Sequence, residues 1–227
     1  MAAPGYLTGW TRPALIFVAV TLGVQLMPGL SDLWRFSRPA FEAGAWWQLV
    51  TAQWVHVNMQ HAVVNAAAMV LMLLAFDQLV GWRIQAVSLL GGYLCVAITI
   101  AVDPGCISYA GVSGALHGLL AGNALGALVG PPNQARATSA RKDSMNGHRV
   151  ATRALALVVL LILAVKLWLQ HATSADAPVG WLGFVTYYPA HEAGSLGGII
   201  TSMLMSALQG ASFAKRHASQ SKNTQGQ

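Results

Sequence analysis

The chain has 227 residues, of which 55% are hydrophobic and only 9% charged, with a mean hydropathy of +0.53. A soluble domain carries about 25% charged residues, so a soluble fold would expose a large apolar patch; an ordinary cytosolic enzyme, a disordered regulator and a secreted disulfide scaffold are excluded. The formal charge of +6 and a pI near 9.8 would suggest nucleic acid in a soluble protein, but membrane topology explains the cations better, and no nucleic-acid partner is expected.

Six stretches reach the roughly 20 apolar residues a bilayer crossing needs: 13–30, 61–80, 84–102, 113–130, 154–169 and 190–208. The expected fold class is an all-α polytopic membrane protein, a six-helix bundle over 1–209 with a disordered cytoplasmic tail, 210–227. The first span follows a short segment with one arginine, Arg12, and no clear cleavage site, so it reads as a retained anchor. Between the first two spans, 31–60 holds Trp34, Trp46, Trp47 and Trp54, as suits a loop lying in the membrane interface. Cys95 and Cys106 fall in an apolar run and the loop after it, which argues against a bridge.

Ten of the 13 Lys+Arg fall in the N-terminus, the second and fourth loops and the C-terminal tail. Six spans put those segments on one side, so both termini are expected in the cytoplasm. The other side holds Arg35 and Arg38, while Lys166 sits near its span's outer end and can snorkel. The basic loop 131–150, opened by Pro131-Pro132, reads as a flexible connector.

The polar residues of the spans carry the chemistry. At the outer end of the second span, His56, His61 and Asn65 read His-x4-His-x3-Asn. His61 and Asn65 share a helical face and can aim N–H donors at one point. With the Ser113 backbone N–H they could hold an oxyanion; the plainer reading is a polar knot tying helices together. The fourth span carries Gly114, Gly118, Gly122, Gly126 and Gly130, and the sixth Ala190, Gly194, Gly198, Ser202, Ser206 and Gly210. Small residues every four positions let membrane helices approach closely and need no chemistry. Beside each stripe's first residue, however, stands Ser113 or His191, at similar outer depth. A serine near a histidine is the minimum for a base-activated nucleophile, and an ionisable residue inside a span is a functional candidate. His56, His61, His117 and His191 could also gather round a metal, but no carboxylate or thiolate joins them at a familiar ligand spacing.

Gly111-Val112-Ser113-Gly114, His56…His61…Asn65 and His191-Glu192-Ala193-Gly194…Gly198 together resemble the rhomboid intramembrane serine proteases, in motif order and host span. The resemblance implies Ser113 as nucleophile and His191 as general base in a dyad. It also implies Asn65, His61 and the Ser113 backbone N–H as oxyanion hole, with His56, His117, Gly111, Gly114, Gly194 and Gly198 lining or supporting the site. No metal or cofactor is implied. Trp46-Trp47-Gln48 aligns with the family's first-loop Trp-Arg motif, with Gln48 in place of arginine, which questions how that loop is anchored. His117 stands where many rhomboids carry an aromatic residue, and Gly-Val-Ser-Gly-Ala-Leu-His-Gly is similar to the rhombosortase branch. That branch is associated with bacterial envelope proteins bearing a C-terminal Gly-Gly, transmembrane and basic-tail sorting signal. The expected partners are therefore membrane-anchored substrates, including such signals, and the lipid bilayer. The expected location is a bacterial inner membrane, with the active site toward the outer face. Glu192 has no evident role. A catalytically inactive rhomboid-like binding protein and a small transporter are the alternatives from other classes; intact Ser113 and His191 speak against the first, and the lack of paired broken helices against the second.

Overall fold

The computed structural model describes residues 11–129, 142–173 and 186–224. The described chain is almost wholly helical. In order it comprises α1 (Thr11–Gln25), α2 (Pro28–Trp34), β1 (Phe36–Ser37), α3 (Arg38–Glu42), α4 (Gln48–Thr51), α5 (Met59–Phe76), α6 (Trp82–Val102), β2 (Ser108–Tyr109), α7 (Ser113–Val129), α8 (Lys142–Ala172) and α9 (Pro189–Thr224). Among the described residues, α5, α6 and the stretch Arg149–Ala172 of α8 are long and apolar enough to cross a membrane, and Pro13–Gln25 and α7 are shorter apolar helices. The outward faces are greasy: Leu161, Ile162 and Trp168 of α8 are each more than 60% exposed. In water such a face would be an aggregation surface; in lipid it costs nothing.

Several expected boundaries move. The first span does not run to residue 30, because α1 ends at Gln25 and Pro28 opens a separate helix. Proline lacks the N–H for an i−4 bond and pushes the preceding residue out of the helical region; Met27 accordingly sits at φ −117°, ψ 81°. The connector expected over 131–150 is shorter, since α8 begins at Lys142; residues 130–141, including Gly130, lie outside the described residues. At its other end α8 continues to Ala172, taking Gln170 out of the outer loop and into the helix. The tail expected to be disordered from Gly210 is helical as far as Thr224. Its Ala, Lys, Gln and Ser residues tolerate a helix, and Gly210 is obstructed by nothing.

The centre of the molecule is a three-helix contact of α6, α7 and α9. A Cβ added at Gly114 would stand 2.6 Å from the Ala190 carbonyl oxygen, and one at Gly118 2.6 Å from that of Gly194. From the other side, Cβ atoms at Gly194 and Gly198 would overlap the carbonyls of Gly114 and Gly118. The two stripes thus face one another backbone to backbone. Ser202 Oγ donates to the Gly122 carbonyl at 2.7 Å, so a hydroxyl takes the fourth position of the seam. The span expected over 84–102 is α6, and it joins the seam in a way its sequence did not announce: its Gly92 meets Gly118 and its Gly91 meets Gly197. On the opposite face of α7, Ala115 and Leu119 pack with Phe17 of α1 and Met69 and Leu73 of α5.

The segment before α5 is pinned to the bundle. Phe36 pairs with Tyr109 and Ser37 with Ser108 in a two-stranded antiparallel ladder. Gln48 is buried; its Oε1 accepts from the Ser37 N–H at 3.0 Å and its Nε2 donates to the Leu33 carbonyl at 3.3 Å. Arg38 caps the end of α6, donating to the carbonyls of Ile100, Ala101 and Asp103 at 2.5, 2.9 and 2.6 Å. The loop is therefore anchored despite Gln48, by an arginine ten positions earlier. Trp46 and Trp47 are exposed, as an interfacial loop requires, whereas Trp54 turns inward onto Phe17 and donates to Tyr93 Oη at 3.1 Å. Cys95 and Cys106 are both free; burial pushes the Cys106 thiol up to about 11.

Candidate active site

Ser113 is the first residue of α7, preceded by Gly111 at φ +129°. That conformation is strained for any residue with a Cβ, and a Cβ there would also stand 2.8 Å from His61 Cε1. Gly111 thus lets the chain turn into α7 while the His61 ring lies against it. The Gly111 N–H donates to the Ala52 carbonyl at 2.9 Å, fixing the turn from behind. Because α7 begins at Ser113, the N–H of Ser113 has no acceptor inside the helix, whereas that of Leu116 already bonds to the Val112 carbonyl at 3.0 Å.

His191 lies in the first turn of α9, which opens on Pro189, a favoured first helical residue. Its backbone N–H donates to the Tyr188 carbonyl at 2.9 Å. The α7–α9 seam brings Ala190 against Gly114, one residue along each helix from the reactive pair. His191 Nε2 consequently lies 3.0 Å from Ser113 Oγ, inside hydrogen-bonding range. His191 is 95% buried, and His117, one turn into α7, stacks flat on it with ring centroids 4.0 Å apart and 13° between planes.

Asn58 caps α5 by accepting the His61 N–H on Oδ1 at 2.8 Å, which fixes the helical phase of His61 and Asn65. Asn65 is buried, and its Nδ2 has no hydrogen-bond partner among the described residues. It shares with Ser113 a cleft of about 380 Å³ between α5, α7 and α8, otherwise walled by groups such as Met72, Leu116 and Ile162. His56 is fully buried behind His61, edge-on with centroids 4.9 Å apart. Gly114, Gly194 and Gly198 serve the helix contact and touch no reactive atom.

Two residues at the site were not expected there. Lys166 and Gln170, four apart on α8, face the histidines: Gln170 Oε1 lies 3.0 Å from His191 Nδ1, and Lys166 Nζ lies 2.6 Å from His117 Nε2. Lys166 stays exposed along the cleft, but its Nζ turns to His117 and Gln170. The i, i+4 spacing that singled out His61 and Asn65 was equally present here, but the span boundary at 169 concealed it. Glu192 pairs with His171 of α8 at 3.1 Å on the rim, which gives it a partner away from Ser113. Among the described residues no cluster of His, Cys, Asp and Glu could hold a metal ion.

Residues 43–210 match the family model described as Rhomboid domain. The chain belongs to the rhomboid family. No curated protein and no solved structure matches it. Rhomboids are generally intramembrane serine proteases, and the matched stretch contains every residue of the site, from His56 on the loop before α5 to Gly198 on α9.

Proposed function

We propose that this rhomboid is an active serine endopeptidase, cleaving transmembrane segments of membrane-anchored proteins near the outer face of a bacterial inner membrane. Ser113 is the nucleophile and His191 the general base. The observation that carries this is the 3.0 Å approach of His191 Nε2 to Ser113 Oγ at the head of a cleft between membrane helices. In the reaction Ser113 attacks the scissile carbonyl while His191 takes its proton, and His191 then delivers that proton to the leaving amine. Water next attacks the acyl-enzyme, with His191 again as base. The developing oxyanion is held by Asn65 Nδ2, which has no other partner among the described residues, by the His61 ring and by the Ser113 N–H.

The apolar wall of the cleft suits a hydrophobic segment, and its polar end suits a stretch of unwound backbone. A Gly-Gly pair lowers the cost of unwinding, since glycine is a poor helix residue. This supports substrates with a C-terminal Gly-Gly, transmembrane and basic-tail signal, the class suggested by the similarity to rhombosortases. The protein itself is read as six spans with both termini cytoplasmic. The test is reconstitution into vesicles with single-span substrates that carry or lack Gly-Gly ahead of the span. Cleavage that needs Ser113 and favours Gly-Gly is the expected result. Equal cleavage of both substrates would remove the sorting-signal assignment, and no cleavage of any would leave an inactive binding protein.

A further inference from the structure

His117, His191, Lys166 and Gln170 form a closed circuit of hydrogen bonds around Ser113, and its proton directions follow from which atoms can only donate or only accept. Lys166 Nζ lies 3.2 Å from the Gln170 side-chain oxygen. An ammonium only donates, so the amide atom facing it must be oxygen, which settles the amide orientation. The same oxygen faces His191 Nδ1 at 3.0 Å. A carbonyl oxygen only accepts, so Nδ1 carries the proton and Nε2 turns its lone pair to Ser113 Oγ. His117 closes the circuit: its Nδ1 lies 2.7 Å from the Ser113 carbonyl, an acceptor, so its Nε2 receives the Lys166 donor.

We propose that Gln170, with its amide held by Lys166, is the positioning residue of the catalytic histidine, making a Ser113–His191–Gln170 array in which a neutral amide takes the orienting place. Gln170 touches neither substrate nor reacting atoms; it acts through His191 by fixing the tautomer that can accept the serine proton. A histidine in the other tautomer presents an N–H to Ser113 and cannot serve as base, and loss of such orientation in serine proteases costs up to about 10⁴-fold. The stacked His117 ring restrains rotation of the imidazole plane, while Gln170 restrains its flip. The neutral amide also avoids placing a carboxylate beside Lys166 in an apolar bundle. The charged and titratable groups round His191 are Lys166 on α8, His117 on α7, His61 on α5 and the rim pair His171–Glu192.

The inference rests on the protease reading, and its test separates the two. Full-length wild type, Ser113→Ala, Gln170→Leu, Gln170→Glu and Lys166→Met are compared by fluorophosphonate labelling, cleavage of a single-span substrate, and thermal unfolding in detergent. Labelling of wild type and none of Ser113→Ala supports the reading; an unlabelled wild type removes the reading and the inference with it. Given a reactive wild type, Gln170→Leu should lower kcat on the order of 10- to 100-fold with little change in KM. Lys166→Met should lose less, because the freed amide can still present its oxygen part of the time. Gln170→Glu keeps the acceptor and should recover most of what Gln170→Leu loses. Its carboxylate favours the imidazolium, so the acid limb of kcat/KM should move to higher pH. A folded Gln170→Leu with wild-type kcat would overturn the proposal. If Gln170→Leu does not fold, Gln170→Glu decides, and an unmoved acid limb overturns it equally.

Discussion

At Ser113 and His191 two side chains from helices remote in sequence meet at 3.0 Å, and in the proposed dyad neither does chemistry without the other. Ser113→Ala and His191→Ala should therefore each abolish cleavage, leaving a folded protein, and the double variant should be no slower than either single, because residues acting as one unit are non-additive. Cleavage of a reconstituted substrate beside the unfolding temperature checks this; a double variant much slower than the singles would show that each acts alone. Asn65 permits a graded test. Asn65→Ala should lower kcat by 10- to 1000-fold, the upper end being about 4 kcal/mol for one lost oxyanion donor. A folded Asn65→Ala with unchanged kcat would leave Asn65 and His61 as a polar tie between helices.

The helices deliver these residues through contact too close for side chains. At Gly194 even a methyl group would overlap the Gly114 carbonyl, whereas nothing lies within 4 Å of a Cβ at Gly210 on the same helix. Gly194→Ala should thus force α7 and α9 apart, lowering stability by about 1–3 kcal/mol and spoiling the Ser113–His191 approach. Gly210→Ala should leave both intact or raise helix stability slightly. Unfolding temperature and fluorophosphonate labelling distinguish the two. This seam was legible in the sequence because a four-residue spacing of small residues is a direct geometric instruction, and so were the motif residues at its outer end. The part played by α6 was not, since Ser88 and Gly92 make only one four-residue step, flanked by the bulky Ile84 and Val96. Lys166 and Gln170 were misread because a lysine near a span's end has two fates, outward to the interface or inward to a partner, and only the packing of α8 chooses. The anchoring by Arg38 was equally hidden, as its carbonyl partners lie more than sixty residues along the chain.

For the whole molecule, the cation distribution and the apolar outer faces imply one orientation. Tags in the 131–141 connector and at the C-terminus should both report the cytoplasm, and a tag in the loop between α8 and α9 the outer side. An exported C-terminus would invert the membrane face at which Ser113 works.

At the Ser113 end of the bundle a latch fastens the first loop, the end of α6 and the start of α9 together. Asp103 accepts from the Tyr187 hydroxyl and, at 2.8 Å, from the Gly105 N–H, while Arg38 donates to the Asp103 carbonyl. The Tyr187 hydroxyl bond and then the Gly105 N–H hold the Asp103 carboxyl below the ordinary carboxylate range, against an opposing effect of desolvation, with the Arg38 charge adding least. Tyr187 lies four residues before His191, and its carbonyl accepts the Ala190 N–H, so the latch fixes where α9 begins. A folded-state pKa depressed below the unfolded value means that the carboxylate's contribution is complete above the unfolded value of about 3.9 and fades as pH falls through the lower, folded one. Asp103→Asn should accordingly melt a few degrees below wild type at pH 7 and lose labelling rate as His191 loosens. The gap in melting temperature should close only as pH falls below about 3.9 and on through the depressed folded-state value, where wild type loses the same charge. A gap of constant size across that range would mean that the Asp103 charge contributes nothing and the hydrogen-bond geometry alone holds the latch.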